Sequence, residues 1–188
     1  MDTSSLSGQS GAIDLQFNPG LASGTQAATA IVTQFTGATI DSKNAPSNTG
    51  DATGSLPGTL VFNNSKQLND IFTPVMFGSS FSFIMTLSGP AVDSPNPTST
   101  YGSTFVLGLF STDGTKPLVT SDGLIATLGL LAGTSSTAVR TFSADASVSP
   151  VTSAVPEPST AFLFVLASAA LLLSAPNLRK RSGQNERD

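Results

Sequence analysis

The sequence predicts an all-β body, an antiparallel sandwich or jelly-roll-like domain, followed by one C-terminal transmembrane helix. Between residues 10 and 150, apolar and polar side chains alternate with the period of two that is typical of half-buried strands. Gly, Pro, Asn and Asp residues separate these alternating stretches at short intervals, as in folds built from many short strands. Thr160–Leu178 is instead free of charge and largely apolar, which indicates a membrane span.

The strand pattern is clearest in the stretches SSFSFIMTLSG and STFVLGLFSTDG, where every second residue is apolar and each set therefore shares one face. The two sets are Phe81, Phe83, Met85 and Leu87, and Phe105, Leu107 and Leu109. Shorter stretches with the same pattern are Ala12–Phe17, Ala28–Phe35, Thr59–Phe62, Ile125–Leu130, Thr137–Phe142 and Ala146–Val151. Turn residues between strands are Asn18-Pro19-Gly20, Pro57-Gly58, Asn63-Asn64, Gly89-Pro90, Asp113-Gly114 and Asp122-Gly123.

Two stretches of the body do not follow the strand pattern. SKQLNDIFTPV predicts one helical turn that ends before Pro74. SGPAVDSPNPTSTYGS, residues Ser88–Ser103, is too rich in proline for a strand and is expected to be a long exposed loop. This loop, with the single tyrosine Tyr101 near its end, is the best candidate for a functional insertion.

Composition and charge exclude several classes of function. Through Glu157 the chain has ten acidic and four basic residues, a net charge of −6, and such an acidic body does not bind nucleic acid. The chain has no Cys and no His, so it lacks thiolate nucleophiles, disulfides, Ser-His-Asp triads and imidazole metal ligands. Serine and threonine number 51, which is typical of secreted bacterial β-proteins. No cofactor or metal site is expected.

An enzyme would have to use carboxylates and hydroxyls alone, and the carboxylates have structural explanations. Asp113 and Asp122 precede turn glycines, and Asp41, Asp51 and Asp93 are expected in loops. Asp70 flanks the predicted helical turn, and Asp14 alternates with apolar neighbours, so a solvent-facing position is expected. The stretch from Asp41 to Asp51 holds oxygen ligands without calcium-loop spacing, and Asn63-Asn64-Ser65 matches a glycosylation acceptor but is expected to be a turn. The sequence predicts a protein that is not an enzyme.

The C-terminal region has three parts in order. Residues 151–159 form a proline-containing linker, and 160–178 the transmembrane helix, whose nineteen residues reach about 28 Å against about 30 Å of hydrocarbon. Arg179, Lys180 and Arg181 follow directly and begin a basic tail, residues 179–188. Positive flanks stay in the cytoplasm, which places the body, residues 1–150, outside.

The motif Val155-Pro156-Glu157-Pro158-Ser159-Thr160, followed by the short apolar helix and the basic residues, resembles the PEP-CTERM sorting signal. The resemblance implies that a membrane-embedded exosortase recognises Pro156, Glu157 and Pro158 and removes the hydrophobic tail. It also implies an inner-membrane precursor and delivery to the cell surface or extracellular matrix. The body segments SGAIDLQFNPG, GSLPGTLVFNN, FGSSFSFIMTLSGP and STFVLGLF resemble a small family of PEP-CTERM proteins with no assigned activity, so no catalytic or binding residue is carried over.

These observations predict an exported structural or adhesive protein of the surface or exopolysaccharide matrix. The alternative is a carbohydrate-binding module that engages exopolysaccharide through a sheet face or the Ser88–Ser103 loop, although the chain has no Trp and one Tyr. A further alternative is an unprocessed membrane-anchored protein. Export requires a leader, and the opening MDTSSLSGQSGAIDLQF has neither a basic nor an apolar leader segment, so we expect the leader to lie upstream of the stated start.

Overall fold

The computed structural model describes residues 1–150. Its strands are β1 (Ser10–Pro19), β2 (Thr29–Ile40), β3 (Ser47–Thr49), β4 (Ala52–Gly54), β5 (Leu60–Asn63), β6 (Asp70–Ser88), β7 (Ser103–Phe110), β8 (Leu124–Leu130) and β9 (Thr137–Thr141). A 3-10 turn (Ser4–Leu6) and one short helix, α1 (Pro90–Asp93), complete the elements of this region. The prediction of an all-β body is confirmed.

The predictions for the C-terminal region fall outside the described residues. They are the linker 151–159 with the motif Val155–Thr160, the transmembrane helix 160–178 and the basic tail 179–188 with Arg179, Lys180 and Arg181. Within residues 1–150, no helix has the length and apolarity needed to cross a membrane.

All nine strands belong to one sheet, and each pair of neighbours is antiparallel. The strand order is β4-β5-β2-β6-β1-β7-β8-β9, and β3 also pairs with β6. The first half of β6 pairs with β1, so that Asp70 lies opposite Gln16 and Met76 opposite Ser10. The second half pairs with β2, up to Ser88 opposite Thr29. The 19 residues of β6 therefore pair with β1 on one side and with β2 on the other, and so join the two halves of the sheet.

The sheet curves strongly where β2 and β6 are irregular. The register between these strands shifts between Thr33 and Ala38, and Gly37 has a φ of 98°. A Cβ atom at Gly37 would collide with the carbonyl oxygen of Ser80, so glycine is required at this crossing. Because of the curvature, Phe62 on β5 packs edge-on against Phe105 on β7, with ring centroids 6.1 Å apart, although three strands separate β5 from β7 in the sheet.

The predicted alternation places the core correctly. Ile13, Leu15 and Phe17 of β1 are fully buried, and the whole predicted set on β7 is less than a tenth exposed. In β6, Phe81 is buried, whereas Phe83, Met85 and Leu87 are partly buried against the core. Phe83 also packs on Phe105, with centroids 6.2 Å apart. The predicted faces of these strands are confirmed.

The predicted helical turn before Pro74 is wrong, because Asp70 begins a strand that continues through the proline. On the side of β6 that faces away from β1, β3 pairs with residues up to Phe72, and β2 pairs with residues from Val75 onward. Pro74 lies between these two partners. No ladder hydrogen bond is therefore lost at the missing N–H, and the carbonyl of Pro74 still accepts a bond of 3.0 Å from the N–H of Asp41.

The predicted strand at Ala146–Val151 is also wrong over its described residues, which form no strand up to Pro150. The chain after β9 instead approaches the N-terminus, where the N–H of Asp2 donates to the carbonyl of Asp145 at 2.8 Å. Ala146 is partly buried against the core, whereas Val148 is 47% exposed, so only the first of these two alternating apolar residues contacts the core. The short strands β3 and β4 and the helix α1, which contains Asp93, were not predicted from the sequence.

Candidate functional site

A polar groove lies beside the predicted Ser88–Ser103 loop, between this loop and the connection from β1 to β2. Its volume is about 380 Å³. The side chains that line this loop groove are uncharged: Thr25, Gln26, Asn96, Thr98, Ser99 and Thr100. Between Gly89 and Gly102 the segment contains no strand, as predicted. It includes one helical turn, α1, and half of the residues from Ser88 to Ser103 are exposed.

Hydrogen bonds from two side chains hold the groove in shape. Gln26 Nε2 donates to the carbonyl of Ser94 at 2.9 Å, and Gln26 Oε1 accepts from the N–H of Asn96 at 2.7 Å. Asn96 Oδ1 accepts from both the N–H and the hydroxyl of Thr98. Because these polar groups are satisfied within the loops, the groove is a fixed, neutral surface.

Tyr101 lies next to the groove, in a smaller cleft that shares Thr25, Gln26 and Ser99 with it, and the residue is 43% exposed. Its backbone bridges to Thr25, which fixes the residue against the β1–β2 connection. The ring packs against backbone at Gly20 and Gly24, where an added Cβ atom would lie 3.3 and 3.5 Å from tyrosine atoms. An exposed aromatic ring beside neutral hydroxyls and amides is a surface suited to an amphipathic ligand.

Asn64 joins the groove to the sheet, a role that the sequence did not reveal. It is 6% exposed, and its Nδ2 donates to the carbonyl of Gln26 and to the hydroxyl of Ser103. Its Oδ1 accepts from the N–H of Ala28 at 2.8 Å. The Asn63-Asn64-Ser65 sequence indicated only a turn, because a buried bridge between distant segments has no local sequence signal.

A second polar site lies on the outer face of the sheet, where β1 and β6 pair. Asp14 lies opposite Phe72 and Gln16 opposite Asp70, so the two carboxyls are diagonal neighbours on one face. Gln16 Nε2 donates to Asp14 Oδ2 at 2.8 Å, and Asn18 Nδ2 donates to Gln16 Oε1 at 2.9 Å. One oxygen of each carboxyl is buried without a hydrogen-bond partner.

The expected solvent-facing position of Asp14 is wrong, since this residue is 9% exposed. The loop between β7 and β8 covers this side of the sheet: Gly114 lies next to the ring of Phe72, and Pro117 bridges to Phe110. Burial raises the pKa of Asp70 to about 8, and the neighbouring carboxyl of Asp14 acts in the same direction. Two close carboxyls in such a setting share one proton rather than ionise together.

Asp41, Asp51 and Asp113 each accept hydrogen bonds that stabilise turns and loops. Asp41 accepts hydrogen bonds from the N–H of Lys43 and from Asn44, and Asp51 accepts from Ser65 and Asn63. The side-chain hydrogen bonds from Asn44 and Ser65 are the main cause of the lowered pKa of Asp41 and Asp51, respectively. Asp113 likewise accepts from Ser111 and Thr115, which lowers its pKa to about 2. In residues 1–150, no three acidic side chains converge as a metal site would require.

Comparison of the chain with protein-family models, with curated proteins and with solved structures finds no match. The assignment of function therefore depends on the residues themselves. The loop groove and the order of motifs after residue 150 are the two features that bear on it.

Proposed function

We propose that this chain is an exported bacterial surface or extracellular-matrix protein, sorted through a C-terminal PEP-CTERM signal that an exosortase processes. The observation that carries the proposal is the order of Val155–Thr160, the apolar stretch 160–178 and the basic residues Arg179, Lys180 and Arg181. In this assignment the precursor lies in the inner membrane with its body outside, and the released body acts as a structural or adhesive component.

The body is suited to this role because it forms a compact unit by itself. This unit spans Met1–Ser149, and its buried core extends from Ile13 to Leu130. Removal of everything beyond Pro158 therefore takes away no strand and no buried core residue of the body. We propose a β-sandwich architecture for it, in which the curved sheet closes around the phenylalanine contact between β5 and β7.

The experiment is the intact mass of the protein from the producing cell, for the natural chain and for Glu157→Ala. We expect the natural chain to have lost the residues after about Pro158 and Glu157→Ala to remain in the inner membrane with its tail. Glu186→Ala, the same change beyond the proposed cleavage point, is the matched control and should be processed normally. A mature mass that includes Arg187 would show instead an unprocessed membrane-anchored protein.

The loop groove favours a second candidate function, the binding of neutral exopolysaccharide. The half-exposed ring of Tyr101 offers a stacking surface, and the uncharged wall beside it suits hydroxyl-rich ligands. Titration with purified exopolysaccharide should saturate, and Tyr101→Ala should weaken binding by about tenfold or more, as expected for an aromatic anchor. Phe142→Ala, which removes a ring of similar exposure from a different surface, is the control. Non-saturating uptake, or equal effects of the two changes, would exclude this role.

A further inference from the structure

The small cleft beside Tyr101, which adjoins the loop groove, has largely apolar walls. Its volume is about 10 Å³, which is room for one group of about the size of a water molecule or a methyl group. Leu130 lies at its buried side, and Leu131, which is 47% exposed, lies with Tyr101 at the surface. The apolar residues that line this Tyr101 cleft are Ala91, Tyr101, Leu130, Leu131 and Ala132.

Most polar side chains of the Tyr101 cleft already have hydrogen-bond partners in the loops. The hydroxyls of Thr25 and Ser99 donate to backbone carbonyls. Gln26 uses both its amide nitrogen and its carbonyl oxygen on the backbone of the Ser88–Ser103 loop. These groups therefore stabilise the walls of the cleft and are not needed by a ligand.

Ser103 is the exception among the polar residues of the cleft. It is 1% exposed, and its Oγ accepts a hydrogen bond of 2.7 Å from Asn64 Nδ2. Because the amide nitrogen of Asn64 only donates, the hydroxyl of Ser103 keeps its own hydrogen, for which residues 1–150 provide no acceptor. The Tyr101 cleft thus offers one buried donor among apolar side chains.

This combination suits an acetyl group better than a water molecule. A buried water needs two to four polar partners, and this wall offers one unused donor. An acetyl group has one carbonyl oxygen that can accept from a single hydroxyl, and its methyl group gains from contact with apolar walls. The donor and the apolar walls therefore point to the same substituent.

We infer that the Tyr101 cleft binds the acetyl group of an acetylated, neutral glycan, whose sugar chain continues along the loop groove. This inference rests on the proposed binding of exopolysaccharide by the groove. In this arrangement Ser103 donates to the acetyl oxygen, and the ring of Tyr101 contacts the sugar that carries it. Within the described residues, no charged side chain lines the cleft or the groove, so a cationic amino sugar or an anionic uronate gains no ion pair there.

Two matched oligosaccharides test the preference for the acetyl group. The tetramers of N-acetylglucosamine and of glucose that share one linkage differ only in the acetamido group that replaces a hydroxyl on each ring. In calorimetric titration of the full chain in detergent, the N-acetylglucosamine tetramer should bind at least about tenfold more tightly, since a filled apolar pocket and one paired donor distinguish the two ligands.

Two variants assign that preference to the cleft. Ser103→Ala removes the donor and should weaken binding of the N-acetylglucosamine tetramer by about tenfold, with little effect on the glucose tetramer. Ala132→Leu fills the cleft and leaves the bond between Asn64 and Ser103 in place, so it tests the inference even if Ser103→Ala does not fold. Ala138→Leu on the exposed strand β9 is the matched control and should keep the preference.

The outcomes separate this inference from the binding function on which it rests. Equal affinity for the two tetramers, or a preference that persists in the folded variants, would overturn the inference and leave glycan binding in place. Saturable binding of purified exopolysaccharide without binding of the N-acetylglucosamine tetramer would have the same meaning. If no glycan binds, the exopolysaccharide included, the proposed glycan-binding function fails together with the inference.

Discussion

The two faces of β1 are both covered, but different chemistry stabilises them. On the inner face, Ile13, Leu15 and Phe17 have no exposed surface and contact other apolar side chains. On the outer face, Asp14, Gln16 and Asn18 form a row of side-chain hydrogen bonds that leaves one carboxyl oxygen unpaired. Alternation along a strand therefore defines two faces, but it does not show that the polar face meets solvent.

The inner face should show the largest effect of substitution. Phe17→Ala removes a fully buried ring and leaves a cavity, so the free energy of unfolding should fall by about 3–5 kcal/mol. Urea denaturation measures this change. Val119→Ala, which trims an apolar residue that is 41% exposed, is the control and should change stability by less than about 1 kcal/mol. A similar small change for Phe17→Ala would mean that the core is not packed as described.

The outer face should show its effect in the pH dependence of stability. Because the folded pKa of Asp70, about 8, lies above its usual value of 3.8, the folded state binds more protons than the unfolded state between these values. The contribution of Asp70 to stability is therefore complete below about pH 4 and is lost as pH rises through about 8.

Asp70→Asn keeps a neutral side chain at every pH and should remove this loss. We expect the variant to match the natural chain near pH 4 and to unfold at higher urea near pH 9. Asp122→Asn, which changes a turn aspartate on an exposed loop, is the control. If Asp70→Asn lost stability with rising pH as steeply as the natural chain does, the two carboxyls would not share a proton.

The comparison of faces also shows which features could be predicted from sequence. The inner faces of β1 and β7 were predicted because burial on one side of a strand leaves a local pattern of period two. The burial of Asp14 was not, because the loop that covers it and the strand that carries Asp70 are distant in sequence. The strand through Pro74 was missed for a similar reason. Proline has no N–H to donate, and only the arrangement of β2 and β3 shows that no strand partner needs a donor at this position.

The groove illustrates the same limit. The proline-rich composition of Ser88–Ser103 predicted an exposed loop, and this follows from local conformational preference alone. Gln26 and Asn64 shape the groove through contacts between the β1–β2 connection, the turn after β5 and the start of β7. Such contacts are set by strand order, which the sequence pattern does not specify.

The smallest expected effect tests how the two carboxyls are coupled to the amide row. Gln16→Ala removes the hydrogen bond to Asp14 Oδ2 and should lower stability by about 1 kcal/mol near neutral pH. The pH at which the contribution of Asp70 is lost should also rise, because the carboxyl beside Asp70 then lacks a hydrogen-bond donor. Asn18→Ala, which removes a donor to Gln16 but leaves the bond to Asp14, should cost a similar or smaller amount without moving that pH. If this pH moves in both variants, the row of side chains responds as one network. If it moves in neither, the titration of the carboxyl pair does not depend on the amides beside it.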